Sequence, residues 1–346
     1  MKAIATFTAA ATCALVLSAC GGGSSPSADG AVALQYEAVP VAMDRFNNAQ
    51  TGPAYFLGLV NQEGAKGYRY LTQYSSNPDT QDDRYLIFIK DDMAPSYIYD
   101  GFSMNSDPTL FASQIVEEGA NGYLLDSSML GGNPDNFYSI YRKNAGSPAS
   151  YTYAIDTTPT SMDDFITQAN EHGKSGYRYF YTPVFPLPPS IFSSSLNGDN
   201  QNLYVKDTSS NATYTYDALT PTASLTDFIA QANSEGAKGY RYRGVISMGI
   251  GSENTKAIYM KDESQSATFT YESDTEKPLD NSNYYSSVNV FVGALNNFGA
   301  RGYAFYGYWT FISITPERPS TRAPIYFKAS DCSGYLCSSL NSVTQN

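Results

Sequence analysis

Phe228-Ile229-Ala230-Gln231-Ala232-Asn233-Ser234-Glu235-Gly236-Ala237-Lys238-Gly239-Tyr240-Arg241-Tyr242 decides how this chain is read. Its Phe, its two Gly and the Tyr after the second Gly recur at the same spacing four more times. They stand as Phe56, Gly64, Gly67, Tyr68; Phe111, Gly119, Gly122, Tyr123; Phe165, Gly173, Gly176, Tyr177; and Phe291, Gly299, Gly302, Tyr303. A period of roughly 54–63 residues means one supersecondary unit used five times.

The first half of the stretch has helical spacing. Leu225, Phe228, Ile229 and Ala232 fall on one face, as do Phe165, Ile166, Ala169 and Phe291, Val292, Leu295. Starts are legible too: Ser224 precedes Asp227 and Ser161 precedes Asp164 by three residues, while Asp107 stands before Pro108. The first Gly of each motif is expected to be the left-handed residue that ends the helix, and the second to allow the turn into a strand. Asn61, Asn170, Asn233 and Asn296 share one helical position, with Val116 in the remaining unit. An amide there is expected to bond backbone near the helix end; a functional ring of amides is the alternative.

Three strands are expected around each helix. One opens with the motif Tyr, as in Tyr68-Arg69-Tyr70, Tyr123-Leu124-Leu125, Tyr177-Arg178-Tyr179, Tyr240-Arg241-Tyr242 and Tyr303-Ala304-Phe305. A second ends in lysine: Ile87–Lys90, Ile140–Lys143, Leu203–Lys206, Ile258–Lys261 and Ile325–Lys328. Its aliphatic face is expected under the helix. A third, Tyr97–Tyr99, Tyr151–Tyr153, Tyr214–Tyr216 and Phe269–Tyr271, follows a short polar turn and is expected to form a hairpin with the lysine strand before it. Nothing equivalent follows Lys328, but Leu34-Gln35-Tyr36 precedes the first helix. Pairing of Leu34–Tyr36 with Ile325–Lys328 would close the chain on itself.

The fold class read here is α+β, with five βαββ-type repeats closed into a ring; an open repeat array is the alternative. In repeat count and element order the body resembles the five-fold α/β propellers, a likeness of fold alone. Approximate units are 33–93, 94–147, 148–210, 211–264 and 265–330, followed by a tail at 331–346.

Lys2 and the apolar run Ala3–Leu17 read as a signal peptide, too short for a membrane span. The run ends in Leu17-Ser18-Ala19-Cys20, which resembles the lipobox of bacterial lipoproteins. The resemblance implies cleavage after residue 19 and acylation of Cys20, palmitate included. It also implies an outer-membrane destination, because Gly21 rather than an aspartate follows. Residues 20–32 then form a Gly/Ser-rich tether.

A formal charge of −12 argues against nucleic acid and anionic headgroups as general partners. In an oxidising compartment Cys332 and Cys337 are expected to form a disulfide; a metal site is the weaker reading, as no histidine lies near. The thirty tyrosines suit a tyrosine-rich sheet or, if exposed, platforms for sugars.

His172 is the chain's one histidine and stands where other units carry Glu63, Glu118, Glu235 and Phe298. A helix-end role, its charge suiting the dipole, is expected over a catalytic one, which leaves Ser-His-Asp and Cys-His mechanisms without a base. Asp79, Asp82, Asp83, Asp135 and Asp199 sit in polar loops and read as solvated turns, with a weak calcium site or a carboxylate pair as alternatives. Lys90, Lys143, Lys206, Lys261 and Lys328 occupy equivalent positions; in a ring they could surround an anion, or each could stay exposed at its strand end and pair with the next residue, as in Lys206-Asp207 or Lys261-Asp262. The longest loop, Tyr181–Leu203, holds Pro183, Pro186, Pro188, Pro189 and Phe192 and reads as a recognition element or a stiff cover. No cofactor and no metal is expected. The composite reading is a membrane-tethered, non-catalytic binding or scaffold protein, with an envelope protein or polysaccharide as partner. Sugar binding through exposed tyrosines and a carboxylate-based hydrolase are the alternatives.

Overall fold

The computed structural model describes residues 32–46, 48, 51–75, 83–92, 94–103, 107–130, 137–181, 184–185, 199–248, 252–279, 284–311, 320–332 and 335–337. The signal peptide, the lipobox and Asp79, Asp82, Asp135 and Phe192 lie outside them.

The first unit comprises β1 (Leu34–Pro40), α1 (Met43–Phe46), α2 (Gly52–Gly64), β2 (Arg69–Ser75) and β3 (Arg84–Asp91). The second has β4 (Tyr97–Ser103), α3 (Pro108–Ala120), β5 (Leu124–Leu130) and β6 (Phe137–Asn144). In the third are β7 (Tyr151–Thr157), α4 (Met162–Lys174), β8 (Arg178–Tyr181), β9 (Val184–Phe185) and β10 (Asp199–Asp207). The fourth runs through β11 (Tyr214–Leu219), α5 (Leu225–Gly236), β12 (Tyr240–Ser247) and β13 (Thr255–Asp262). The fifth has β14 (Thr268–Ser273), β15 (Lys277–Pro278), α6 (Val288–Gly299), β16 (Ala304–Phe311) and β17 (Thr321–Ser330).

Each unit makes its own antiparallel sheet with the lysine strand in the middle. β3 lies between β1 and β2, β6 between β4 and β5, β10 between β7 and β8, β13 between β11 and β12, and β17 between β14 and β16. Two sequence expectations are corrected here. Tyr97–Tyr99 forms no hairpin with β3 but pairs with β6 in the next sheet. Leu34–Tyr36 pairs with β3, not with Ile325–Lys328. The cause is simple: both edges of each lysine strand are already taken within its unit, so the strand after the turn must move on. Among the described residues no strand pairs across two units, and the sheets do not join into a barrel.

Helix ends follow the expected chemistry. The side chains of Ser161, Ser224 and Ser287 each accept the amide three residues on, and Asp107 accepts from Thr109 and Leu110. The glycine roles are exchanged relative to expectation. The second Gly carries the positive φ, from 82° at Gly302 to 91° at Gly239. The first Gly stays in the helix, where a neighbouring carbonyl leaves no room for a Cβ: one on Gly236 would lie 2.0 Å from the Phe269 oxygen.

That carbonyl belongs to the next unit, so each of the helices α2 to α6 packs against two units at once. Motif residues Phe56, Phe111, Phe165, Phe228 and Phe291 are all at most 3 % exposed, and burial of such a ring contributes about 1.5–3 kcal/mol. Phe56 meets Tyr70 edge-on, and Tyr70 meets Phe88, so α2 covers the aromatic face of its own sheet. The hydroxyls of Tyr141, Tyr204 and Tyr259 donate to Gln114, Gln168 and Gln231 of their own helices. The aliphatic face, expected under the same helix, packs instead with the preceding unit. Ile140 joins the core of α2, Leu203 that of α3, and Ile258 that of α4. Each of the helices α2 to α6 is thus wedged between two sheets.

The helix asparagines lock these wedges. The Asn61 side chain accepts the Tyr99 amide at 2.8 Å and donates to the Tyr99 carbonyl at 3.0 Å. Asn170 does the same with Tyr216, and Asn233 with Tyr271. Backbone bonding was expected, but the backbone is that of the next unit's edge strand, whose outward N–H and C=O groups would otherwise lack a ladder partner. In return the edge-strand tyrosine reaches back. Hydroxyls of Tyr99, Tyr153, Tyr216 and Tyr271 accept the amides of Tyr70, Leu125, Tyr179 and Tyr242, each just before a β-bulge.

The last helix makes these contacts with the first strand. Asn296 accepts from Tyr36 at 2.8 Å and donates to its carbonyl at 3.1 Å, and the Tyr36 hydroxyl accepts from Phe305 at 3.0 Å. A Cβ on Gly299 would lie 2.4 Å from the Leu34 oxygen. Tyr74 of β2 stacks on Phe291 of α6 at 5.1 Å and donates to the Tyr285 carbonyl. The first and fifth units therefore meet as consecutive units do. Among the described residues no helix is long and apolar enough to cross a membrane.

Candidate functional site

Each of the five strand lysines contacts a ring or a carboxylate of its own unit, and among the described residues none forms an ion pair with the residue that follows it. Lys90, Lys143, Lys206 and Lys328 hold their ammonium groups 4.3–5.8 Å above the rings of Tyr68, Tyr123, Tyr177 and Tyr303. Lys261 pairs with Glu263 at 2.9 Å. Lys206 also donates to the Ser175 carbonyl at the end of α4, where the helix dipole favours a cation.

His172 is a packing residue. Its ring stacks on Tyr204 at 4.1 Å and bonds Asp156 at 2.5 Å, and Phe298 stacks on Tyr326 in the equivalent place. The strand tyrosines are mostly interior; among the described residues only Tyr308 is more than about a third exposed, at 42 %. Asp83 accepts a hydrogen bond from Ser75, and β10 begins at Asp199. Among the described residues no three His, Cys, Asp or Glu side chains gather as a metal site would need. Cys332 and Cys337 are joined as a disulfide, and Gln265 donates to the Cys337 carbonyl at 2.7 Å, tying that loop to the turn between β13 and β14.

A carboxyl pair lies in the first unit. Burial, and then the neighbouring Glu63 carboxyl, push the Glu37 carboxyl up to about 7. Burial also acts to raise Glu63, but hydrogen bonds with Glu37 and Lys66 outweigh it and hold Glu63 below its usual value. Between about pH 4.5 and 7 folded Glu37 keeps a proton that the unfolded chain has released. Its contribution to stability therefore declines as pH rises through that window. Glu63 works oppositely, its contribution being lost as acid protonates it. Because Glu37 is half-buried, solvent screening reduces its effect to about 1–2 kcal/mol. Glu37→Gln should remove most of this decline, measured by urea unfolding on either side of neutrality.

The site that sequence reasoning missed is interior and built on the β-bulges. In each second strand one residue is skipped by the pairing: Leu71, Asp126, Phe180, Arg243 and Tyr306. Two residues before each stands Arg69, Leu124, Arg178, Arg241 or Ala304. Arg69, Asp126, Arg142, Arg178 and Arg241 are all at most 9 % exposed. Asp126 bridges two units: Arg69 Nη2 donates to its Oδ1 at 2.8 Å and Arg142 Nε at 3.2 Å. Burial acts to raise the Asp126 carboxyl, but the two guanidinium groups overcome it and hold it below its ordinary range.

Arg243, Arg241, Tyr214 and Tyr216 all lie close enough to Arg178 to act on its charge. Burial, then the charge of Arg243, lowers the pKa of Arg178, while Tyr216 and Tyr214 act in its favour. Arg241 lies 4.5 Å above the Phe327 ring, against which Tyr306 also packs. The Tyr306 hydroxyl is buried and makes no hydrogen bond among the described residues. A cleft of about 330 Å³, measured out to the solvent at its mouth, is lined by Arg241, Tyr214, Met260, Phe269 and the disulfide residue Cys337.

No curated protein and no solved structure matches this chain. Residues 149–311, a little under half of the chain, match the model of a family described as PT dipeptide repeat lipoprotein, which supports a lipoprotein.

Proposed function

We propose that this chain is a lipid-anchored, non-catalytic binding or scaffold protein of the cell envelope, held at the outer membrane through Cys20. Its five units form a closed ring similar to a five-fold α/β propeller. The observation that carries the ring is that α6 grips Tyr36 through Asn296 as α2 grips Tyr99 through Asn61. Wedged helices and clamped strands make a rigid body, suited to presenting loops at a fixed distance from a membrane. The lipoprotein family match and the Leu17–Cys20 motif support the anchor.

Cys20→Ala tests this reading. The wild-type chain, expressed in a bacterial host with labelled palmitate, should carry label and sediment with outer membranes until detergent releases it. The variant should carry none and remain unsedimented after cleavage, or be retained as the uncleaved precursor. Label on the Cys20→Ala variant, or an unlabelled wild type, would refute the anchor. Turnover of glycoside or ester substrates by the purified wild type would refute the non-catalytic part.

A further inference from the structure

We propose that the Cys332–Cys337 disulfide is a redox latch: a dithiol that reduces it frees Leu336 and Cys337 from their seat and opens the cleft beside Arg241 to solvent. The inference does not depend on how the chain is tethered. Asp331, Leu336 and Cys337 have φ of 62°, 49° and 51°, and no other non-glycine residue among those described has a positive φ. The left-handed region is unfavourable for residues with a Cβ, which it crowds against the following carbonyl. Three such residues in one short segment need a constraint. Leu336 is buried at 7 % exposure against the core that holds Phe269 and Phe327, and Gln265 donates to the Cys337 carbonyl at 2.7 Å. Beside these contacts stands the covalent link, which joins residues five apart in sequence and denies the open chain its more favourable conformations. Once the bond breaks, Leu336 and Cys337 leave the left-handed region by turning away from that seat.

The bond is within reach of a reductant, since both cysteines are half-buried rather than enclosed. A thiolate of the dithiol attacks one sulfur, the Cys332–Cys337 bond breaks, and the donor's second thiol then resolves the mixed disulfide. The donor's two electrons and two protons end on the cysteines, and the donor leaves as a disulfide. Beyond Cys20 the chain has no other cysteine, so reoxidation restores the same intramolecular bond. What the latch covers is the cleft lined by Tyr214, Arg241, Met260 and Phe269, with Cys337 as part of its wall. Tyr214, Arg241 and Met260 belong to the fourth unit and Phe269 to the fifth. Release at the tail therefore changes access to the junction of two units, and to a guanidinium that is 2 % exposed while the bond is intact.

The test is hydroxyl-radical footprinting of the whole chain in neutral detergent. It compares the oxidised protein, the protein reduced with dithiothreitol and capped with iodoacetamide, and a reduced sample reoxidised with oxidised glutathione. Met260 and Phe269 line the cleft at 5 % and 7 % exposure. Their labelling should rise several-fold on reduction and return on reoxidation, while Phe111 and Phe165, at 0 % exposure, stay unlabelled throughout. The double variant Cys332→Ser, Cys337→Ser should show the open pattern without reductant and should not respond to it. Because it carries no capping group, its agreement with the reduced wild type excludes an effect of the cap. Equal labelling of Met260 and Phe269 in the oxidised and reduced wild type, or a disulfide that dithiothreitol cannot reduce in the folded chain, would overturn the proposal. So would labelling that spreads to Phe111 and Phe165, which would make the bond a support of the whole fold.

Discussion

Replacing Gly299 with alanine should destabilise the domain by about 3 kcal/mol, the upper end for forcing an extra methyl into a filled interior. The added Cβ would lie 2.4 Å from the Leu34 carbonyl oxygen and 3.0 Å from the Tyr36 ring. Neither can retreat easily, since Leu34 is paired with Asp91 and Tyr36 is clamped by Asn296. Gly293→Ala in the same helix is the matched control. Nothing lies within 4 Å of a Cβ there, so alanine should stabilise by about 0.8–1 kcal/mol through helix propensity. Gly64→Ala sets the scale, because its Cβ would strike the Tyr97 oxygen at 2.5 Å between two units joined in sequence. Chemical denaturation of the three variants should place Gly299→Ala with Gly64→Ala. A mild Gly299→Ala would mean that the first and last units do not meet.

Asp126→Asn should cost about 3–5 kcal/mol, the range for removing one partner of a buried ion pair. The amide cannot balance two guanidinium groups that are 5 % and 3 % exposed. The loss should be full near neutral pH, where the wild-type carboxyl is ionised. It should shrink only in strong acid, as falling pH protonates Asp126 in the wild type through its lowered folded pKa. Asp156→Asn offers a contrast within the same protein. Its carboxylate pairs with His172 at a site 41 % exposed, where such pairs contribute about 1 kcal/mol or less. Urea unfolding at neutral pH separates the two cases directly.

Much of the unit was legible because its rules are local. Ser161 and Ser224 cap their helices, Phe228 anchors its own, and Tyr240 leads into a strand, each determined by residues within one or two turns. Pairing was harder to read, because a short turn such as Asp207–Asn211 suggests a hairpin whether or not the strand before it has a free edge. The position of the displaced strand at Leu34–Tyr36 was visible; its partner was not, since β1 and α6 stand 260 residues apart at the Asn296–Tyr36 bonds. The interior charges escaped for another reason. Asp126 and Arg243 stand where other units carry Leu71, Phe180 and Tyr306, and the bulge there breaks the strict alternation from which a strand's facing is read. The readable signal was Arg69, Arg178 and Arg241, repeated opposite the aromatic face of a strand buried on both sides.

Hydrogen exchange at the Tyr36 backbone amide tests the closed ring most directly. This N–H faces away from β3 and is held by Asn296 at 2.8 Å, as the Tyr99 amide is held by Asn61 at 2.8 Å. In a ring the two amides should be comparably protected, and Asn296→Ala should speed exchange at Tyr36 by about tenfold, the equivalent of one hydrogen bond of ~1.4 kcal/mol. Tyr36 exchanging at the rate of free solvent-exposed backbone in the wild type, while Tyr99 stays protected, would contradict it.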